Sequence, residues 1–299
     1  NGFLGKFLRS ELINRGYKIT APTSKKCDLT KIDQLKKYKN KYKYIFHLAA
    51  WTQAGDFCLK YPGEQWIINQ KINTNVLSWW QKSQPQAKLV FMGTSCSYSC
   101  DLKVLSEENY LEGLPIESLY TYGMTKRMLL VGAQSLNKQY GMEYLCFVPS
   151  TLYGPSYHTD GRQMHFIFDL IRKIIRGSKR GDDVILWGNG YQKRELVYVD
   201  DFIEIMLDLV STQNNELINI GAGEEYSIRE FAEKICEIVD FDHNRIIYDE
   251  SKHTGAKSKF LDVTKAKSLT QDYQIRSLDD GLQNTVKWFI DEFDSGNFS

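Results

Sequence analysis

The chain has 299 residues, 42% of them hydrophobic, with 38 lysines and arginines against 37 acidic residues. That balance argues against a partner chosen by bulk charge, nucleic acid included, and no apolar run approaches the ~18 residues a membrane-spanning helix needs. Six cysteines at irregular positions (27, 58, 96, 100, 146 and 236) form no disulfide framework, and Cys96 and Cys100 lack the second Cys/His pair of a zinc site, so a reducing, cytoplasmic setting without a metal is expected. The length allows a substantial core divided between two lobes.

Taken in chain order, Asn1-Gly2-Phe3-Leu4-Gly5 opens an amphipathic helix. Phe3, Leu4, Phe7, Leu8 and Leu12 share one face, and Gly16 is placed to end it. This reads as the back half of a glycine-rich dinucleotide loop, in which glycines let the backbone approach a pyrophosphate at a helix N-terminus. A first strand is expected ahead of Asn1; taken alone, Gly-x-x-Gly is equally compatible with a chance spacing. Short apolar runs follow at Tyr17 to Ala21, Tyr44 to Ala50, Lys88 to Met92 and Glu143 to Val148, and they read as buried strands. Helical stretches near Pro62 to Gln81 and Lys126 to Tyr140 separate them. The basic run Lys36 to Lys43, interleaved with tyrosines, reads as a solvated helix end.

This alternation predicts an α/β fold: a Rossmann-type doubly wound parallel sheet with a smaller C-terminal α/β substrate-binding lobe. Ligands of such sheets sit at the carboxyl ends of the strands, where Ala49-Ala50, Gly93-Thr94-Ser95-Cys96 and Pro149-Ser150-Thr151 fall. At Ser118 to Lys126 a further feature appears: Tyr122 and Lys126, four residues apart, share a helix face. Drawing a phenol from ~10 toward ~7 takes roughly 4 kcal/mol, which a partly desolvated ammonium can supply, although the same spacing also arises as an ordinary surface pair.

In the back third, Val184 to Gly190 leads through Lys193-Arg194-Glu195 into Leu196 to Asp201, a strand followed by a helix. Asn219 to Gly223 reads as a loop. Ser227 and Glu230 form a capping box for a helix whose Phe231, Ala232, Ile235 and Ile238 face inward. No low-complexity linker separates the lobes, so the chain is expected to cross between them: residues 1–155, with 195–215 returning, as the dinucleotide-binding domain, and 156–194 with 216–299 as the nucleotide-sugar-binding lobe.

The order of Gly-x-x-Gly, His47-Leu48-Ala49-Ala50, Thr94-Ser95-Cys96-Ser97-Tyr98, Tyr122-x-x-x-Lys126, Leu152-Tyr153-Gly154-Pro155, Arg194-Glu195 and Val199-Asp200-Asp201 resembles the extended short-chain dehydrogenases/reductases of the NAD-dependent epimerase/dehydratase family. Within it the chain is most similar to the GDP-L-fucose synthases, from residue 1 to about residue 290 and including Gly255 to Val263. The resemblance implies an NADP-dependent 3,5-epimerase/4-reductase acting on GDP-4-keto-6-deoxy-D-mannose. In it Thr94 is the catalytic hydroxyl, Tyr122 the general acid, and Lys126 its partner and a ligand of the nicotinamide ribose. A Cys in the position of Cys96 and a His ten residues past the Gly-Pro pair, here His165, are the family's acid/base residues at C3 and C5. Read without the family, Cys96 is as readily a small buried hydrophobe, and His165 a packing residue opening the apolar helix Phe166 to Ile175.

The resemblance further implies cofactor contacts from Gly2, Phe3, Leu4, Gly5, Ser24, Lys25, Asp28, Leu48, Ala49, Ala50 and Pro149. Substrate contacts are implied for Ser95, Thr151, Trp187, Arg194 and Lys259. Thr151 stands where the family has Asn, and Pro22 to Lys26 stands where it has arginines. With two lysines there and no acid to grip a 2′-hydroxyl, NADP is expected, with NAD the second choice. The partners implied are a small-molecule nucleotide sugar and a second copy of the chain. The competing functions are a single-function 4-ketoreductase or 4-epimerase on another nucleotide sugar and a non-catalytic dinucleotide-binding protein.

Overall fold

Four parallel strands form the central sheet: β1 (Tyr44–His47), β2 (Lys88–Met92), β3 (Tyr144–Pro149) and a late strand at Glu216–Ile220, in that spatial order. The computed structural model describes residues 2–251, 257–258 and 260–298. Between β3 and the late strand come β4 (Thr151–Tyr153), β5 (Ile185–Trp187), β6 (Lys193–Arg194) and β7 (Leu196–Tyr198). The late strand is therefore β8, followed by β9 (Tyr226–Ser227) and β10 (Ile247–Asp249). The helices are α1 (Phe3–Asn14), α2 (Ile32–Leu35), α3 (Phe57–Lys60), α4 (Pro62–Ser83), α5 (Tyr120–Tyr140), α6 (Phe166–Arg180), α7 (Val199–Thr212), α8 (Ile228–Val239), α9 (Thr264–Leu269) and α10 (Leu278–Asp294).

The period-2 geometry of a strand decides which helix each sheet residue meets. Leu89 and Phe91 of β2 and Cys146 and Val148 of β3 pack with Trp79 and Trp80 of α4 and Leu129 and Leu130 of α5. Their neighbours Val90, Met92, Leu145 and Phe147 go to the opposite face, against Leu8 and Leu12 of α1 and Phe202 and Met206 of α7. With both faces covered, the central strands read as continuous apolar runs rather than alternating ones. The arrangement is the doubly wound α/β sheet expected. A separate core joins α6, α8 and α10 through Ile167, Phe168, Ile171, Phe231, Leu282 and Phe289. The capping box of α8 is present, with Ser227 and Glu230 exchanging bonds.

Three expectations are corrected. Tyr17 to Ala21 forms no strand: none of its residues enters a ladder with a described strand, although the Tyr17 ring meets Tyr44 at 6.5 Å and Ile19 packs against the core on that face of the sheet. Strand β1 ends at His47, and Leu48 to Ala50 continue as loop. Glu216–Ile220, placed by sequence in the second lobe, pairs in parallel with β3 from Leu145 to Pro149 and completes the central sheet. Its apolar run is too short to declare a sheet by itself. Of Gly255 to Val263, residues 255, 256 and 259 lie outside the described residues, and with them the expected substrate contact Lys259.

Candidate active site

At the carboxyl end of β2 the chain turns sharply through Gly93 and Thr94 into the short 3-10 turn Ser95–Ser97. Thr94 starts that turn, its Oγ1 accepting from the Cys96 amide at 3.2 Å, which leaves the Thr94 O–H available as a donor. Its own amide donates to Tyr110 Oη at 3.3 Å. The turn rests on the start of α5, where Gly123 has no side chain: a Cβ there would lie 2.7 Å from the Cys96 carbonyl oxygen and 3.1 Å from the Pro115 ring. Thr94, Ser95 and Cys96 are all partly exposed, and the Cys96 thiol is close enough to Tyr122 to act on its phenol.

Tyr122 and Lys126 lie on α5 one turn apart, with the ammonium 5.8 Å from the phenol ring centroid. Lys126 is buried and donates to the Met92 carbonyl at 2.9 Å. Burial brings its ammonium down to about 8. The Tyr122 phenol moves the other way, raised by burial and then by the thiols of Cys96 and Cys58. The lowered phenol expected from sequence is therefore not found in this arrangement. The ammonium is engaged by a main-chain oxygen, and desolvation decides the balance. A phenol held in its protonated form is a proton donor, and an alkoxide is basic enough to take that proton.

Beside Lys126 lies a polar pair that sequence reasoning passed over. His47, buried at the end of β1, has Nε2 3.2 Å from Asn73 Oδ1 of α4, while Asn73 Nδ2 donates to the Thr125 carbonyl at 3.2 Å. Burial, then the neighbouring Lys126, lowers this imidazole to about 4, so it is neutral throughout the physiological range. The pair ties β1 and α4 to the turn of α5 that carries Lys126. Cys58 of α3 was missed as well: it is buried, accepts from Gln65 at 3.3 Å and lies close enough to Tyr122 to raise the phenol. Neither signal is periodic, so neither shows in a single sequence.

For a dinucleotide, the N-terminus of α1 offers a cradle. Gly2 is its N-cap, exposed, with no heavy atom within 4 Å of where a Cβ would stand, so a phosphate can approach the backbone there. Phe3 turns away into an aromatic group, edge-on to Tyr157 at 5.4 Å and to Phe168 at 5.7 Å. A Cβ on Gly5 would lie 3.9 Å from Leu48 Cδ1, so the loop after β1 comes close to the helix start; Ala49 is exposed and Leu48, Ala50 and Pro149 partly so. Ser24 and Lys25 sit on an exposed turn after residue 21. Asp28 folds onto Thr30, whose hydroxyl and amide hold its carboxyl below the usual range.

On the other side of the cleft, Thr151 opens β4, its amide donating to the Glu195 carbonyl, and Arg194 lies on β6 opposite Tyr226. Burial lowers the Arg194 guanidinium, and the Cys96 thiol opposes that shift, placing the two in one electrostatic neighbourhood. Trp187 is exposed at the end of β5. Glu195 is buried and accepts from the amides of Gly223 and Leu261, pinning two loops to β6 and β7; burial raises its carboxyl to about 7. His165 is exposed at the N-cap of α6, where its carbonyl accepts from Phe168 and Asp169. Among the described residues no cluster of His, Cys, Asp and Glu suits a metal ion, and no helix is long and apolar enough to cross a membrane.

Comparison with known proteins bears on the family and the fold. GDP-L-fucose synthase of Escherichia coli K12 is 30% identical, the match covering 78% of this chain and 76% of that protein. GDP-L-fucose synthase 1 of Arabidopsis thaliana is 28% identical over 97% of this chain and 90% of its own length. The crystal structure of a GDP-L-fucose synthetase from Naegleria fowleri bound to NADP superimposes with a TM-score of 0.84 at 23% identity, covering 98% of this chain and 92% of that one. The family model of the NAD dependent epimerase/dehydratase family matches residues 1–221, and the chain belongs to that family.

Proposed function

We propose that the protein is an NADP-dependent 3,5-epimerase/4-reductase converting GDP-4-keto-6-deoxy-D-mannose to GDP-L-fucose or a closely related GDP-sugar. The observation that carries this reading is the packing of the Thr94–Cys96 turn onto the bare backbone of Gly123, which gathers hydroxyl, thiol and phenol beside a buried lysine. Gly2 to Gly5, Ser24, Lys25, Asp28, Leu48 to Ala50 and Pro149 would hold NADPH, which when bound would supply a hydride for the C4 ketone. Tyr122 gives its proton to the oxygen that becomes negative, and the unspent Thr94 O–H donates a hydrogen bond to the same oxygen. Lys126 holds the ribose. Inversion beside a ketone removes a proton from one face and returns one to the other. Cys96 and His165 are the two titratable groups assigned to that exchange. Arg194 holds the diphosphate as a bidentate, permanent cation, with Ser95, Thr151, Trp187 and Lys259 around the sugar and base.

The dinucleotide lobe comprises residues 1–155 with 195–220, and the sugar-nucleotide lobe 156–194 with 221–299. A homodimer is proposed because α4 and α5, packed on each other, carry exposed Trp66, Ile67, Met128 and Val131. None of the six cysteines is in a disulfide, which fits a reducing, cytoplasmic compartment.

The exposed position of His165 is the observation that favours a simple 4-ketoreductase instead. The two readings separate in D₂O. Without NADPH, the wild-type protein places deuterium at C3 and C5 of the 4-keto substrate, and Cys96→Ser and His165→Asn suppress that exchange, because a hydroxyl ionises far less readily than a thiol. Ketone reduction by wild type with no deuterium wash-in overturns the epimerase assignment and leaves Tyr122 in place.

A further inference from the structure

Next to the catalytic lysine stands an arginine for which the proposed chemistry has no use. Arg127 is buried, and every nitrogen of its guanidinium donates to a backbone carbonyl of one segment, residues 97–113. Nε reaches Ser97 O at 2.8 Å, Nη2 reaches Glu112 O at 2.7 Å, and Nη1 reaches Gly113 O at 2.7 Å and Leu111 O at 3.4 Å. The carbonyls converge because the chain turns at Gly113, whose φ is +57° and where a Cβ would lie 2.6 Å from Ser99 Oγ; only glycine fits.

The same segment is tied down twice more. Tyr110 Oη donates to Ser97 Oγ at 3.0 Å, and Ser97 Oγ donates to the Gly123 carbonyl at 3.0 Å, one residue beyond Tyr122. Farther along, Leu105 exchanges main-chain bonds with Phe260 and Asp262, and its carbonyl also accepts from Asn219 Nδ2 at 2.8 Å. Glu107 Oε1 accepts from the Asn219 amide at 2.9 Å.

We propose that residues 97–113 form a strap and that Arg127 is a positioning residue which fastens it, fixing Cys96 against Tyr122 for proton exchange on the bound sugar. The role in exchange rests on the epimerase/reductase reading above; the strap itself does not. Cys96 hangs between two supports. On one side Thr94, anchored at the end of β2, accepts its amide; on the other, Ser97 is held by Arg127 and Tyr110. A planar fork with fixed donor directions holds several carbonyls at once, which a flexible point-charge ammonium cannot. Removing the fork loosens the Ser97 side, which keeps only its bonds with Tyr110 and Gly123, and leaves the Thr94 side in place. The thiol is therefore displaced while hydroxyl, phenol and lysine keep their positions.

Two readouts test this in Arg127→Lys, which keeps the charge and most of the bulk. The first needs no substrate: iodoacetamide alkylation of the partly exposed Cys96, followed by peptide mass spectrometry with an added unstructured cysteine peptide as reference, speeds up about fivefold or more as the local structure opens. The second is catalytic: deuterium wash-in falls by about 10- to 100-fold, as expected for a misplacement near 1 Å, while NADPH-dependent reduction stays within about threefold of wild type. Ser97→Ala, which removes the bonds from Tyr110 Oη and to the Gly123 carbonyl while sparing Arg127 and the Thr94 amide's bond to Tyr110, gives the same alkylation result. Unchanged Cys96 alkylation in both variants overturns the strap. Wash-in and reduction falling in equal proportion overturn the positioning role. Wild-type protein with no wash-in overturns the epimerase reading instead, and the alkylation arm still decides the strap.

Discussion

Gly123→Ala in α5 changes one hydrogen into a methyl group and tests whether the seat of the Cys96 turn is a functional dimension. The new Cβ stands 2.7 Å from the Cys96 carbonyl oxygen and 3.1 Å from Cβ and Cγ of Pro115. Ordinary contact begins near ~3.5 Å, so turn and helix must separate by about 0.8 Å. The atom in the way is backbone, which cannot rotate aside. Alanine in a helix is favoured over glycine by about 1 kcal/mol, and overpacking costs about 1 to 3 kcal/mol, so the net loss of stability is about 2 kcal/mol at most. Gly132→Ala, in the same helix, is the control. Its Cβ meets only the end of the Leu77 side chain, Cδ1 at 2.5 Å, which can swing away. Differential scanning fluorimetry and the wash-in assay read the pair. Gly132→Ala keeps full activity with an equal or higher Tm, whereas Gly123→Ala loses about 100-fold in wash-in. Full wash-in by Gly123→Ala refutes the argument that this close approach sets the position of Cys96.

Tyr122→Phe removes only the proton donor and lowers ketone reduction by about 10² to 10⁴ while NADPH still binds; turnover above about a tenth of wild type, in a steady-state assay, takes the acid role away from it. NADPH is preferred over NADH, but only modestly, since each contact from the exposed Ser24 and Lys25 turn is worth about 1 kcal/mol or less; equal kcat/KM for the two cofactors removes that turn from the site. Lys126 loses its charge as pH rises through about 8, so NADPH affinity measured by fluorescence titration is flat below that pH and weakens above it; a flat curve to pH 9.5 contradicts the ribose role. Stability runs the opposite way for this group. The unfolded lysine keeps its proton to 10.5 and the folded one only to about 8, so raising the pH between those values relieves the cost of burying it. Trp66→Glu, on an exposed face of α4, converts the proposed dimer to a monomer in analytical ultracentrifugation; a native monomer in the wild type removes the proposal.

The parts of the molecule that a sequence announces are those held by local rules. Lys88–Met92 and Tyr144–Pro149 are legible because strands buried on both faces need apolar residues at every position, and α8 because Ser227 and Glu230 cap it three residues apart. Tyr17 to Ala21 has the composition of a strand but not the ladder, and a strand is made by its neighbour. Glu216–Ile220 failed in the opposite sense: a short segment gained its identity from β3, some seventy residues earlier. At the site, Tyr122 and Lys126 were visible through helical spacing, whereas the direction of the phenol's shift depended on burial and on Cys58, which no spacing rule connects to it. Arg127 and Glu195 stood beside recognised residues and gave no sign of their work, because their partners are main-chain groups whose placement follows from the completed fold.

The ring stack around Phe3 has a thermodynamic consequence. Tyr157 lies flat on Phe168 with centroids 3.7 Å apart, His158 lies 4.2 Å from Tyr157, and Phe3, one residue past the Gly2 cradle, meets both Tyr157 and Phe168 edge-on. The helix start proposed to hold the dinucleotide and the loop that leads to His165 thus share one aromatic joint. Any occupant that steadies Phe3 also steadies Tyr157 and Phe168, and so would lower the entropy left to be lost by a second ligand that orders the 156–165 loop. Binding free energies are reciprocal, so whatever factor the first ligand confers on the second is returned unchanged. Measured in either order, the two affinities close a single cycle.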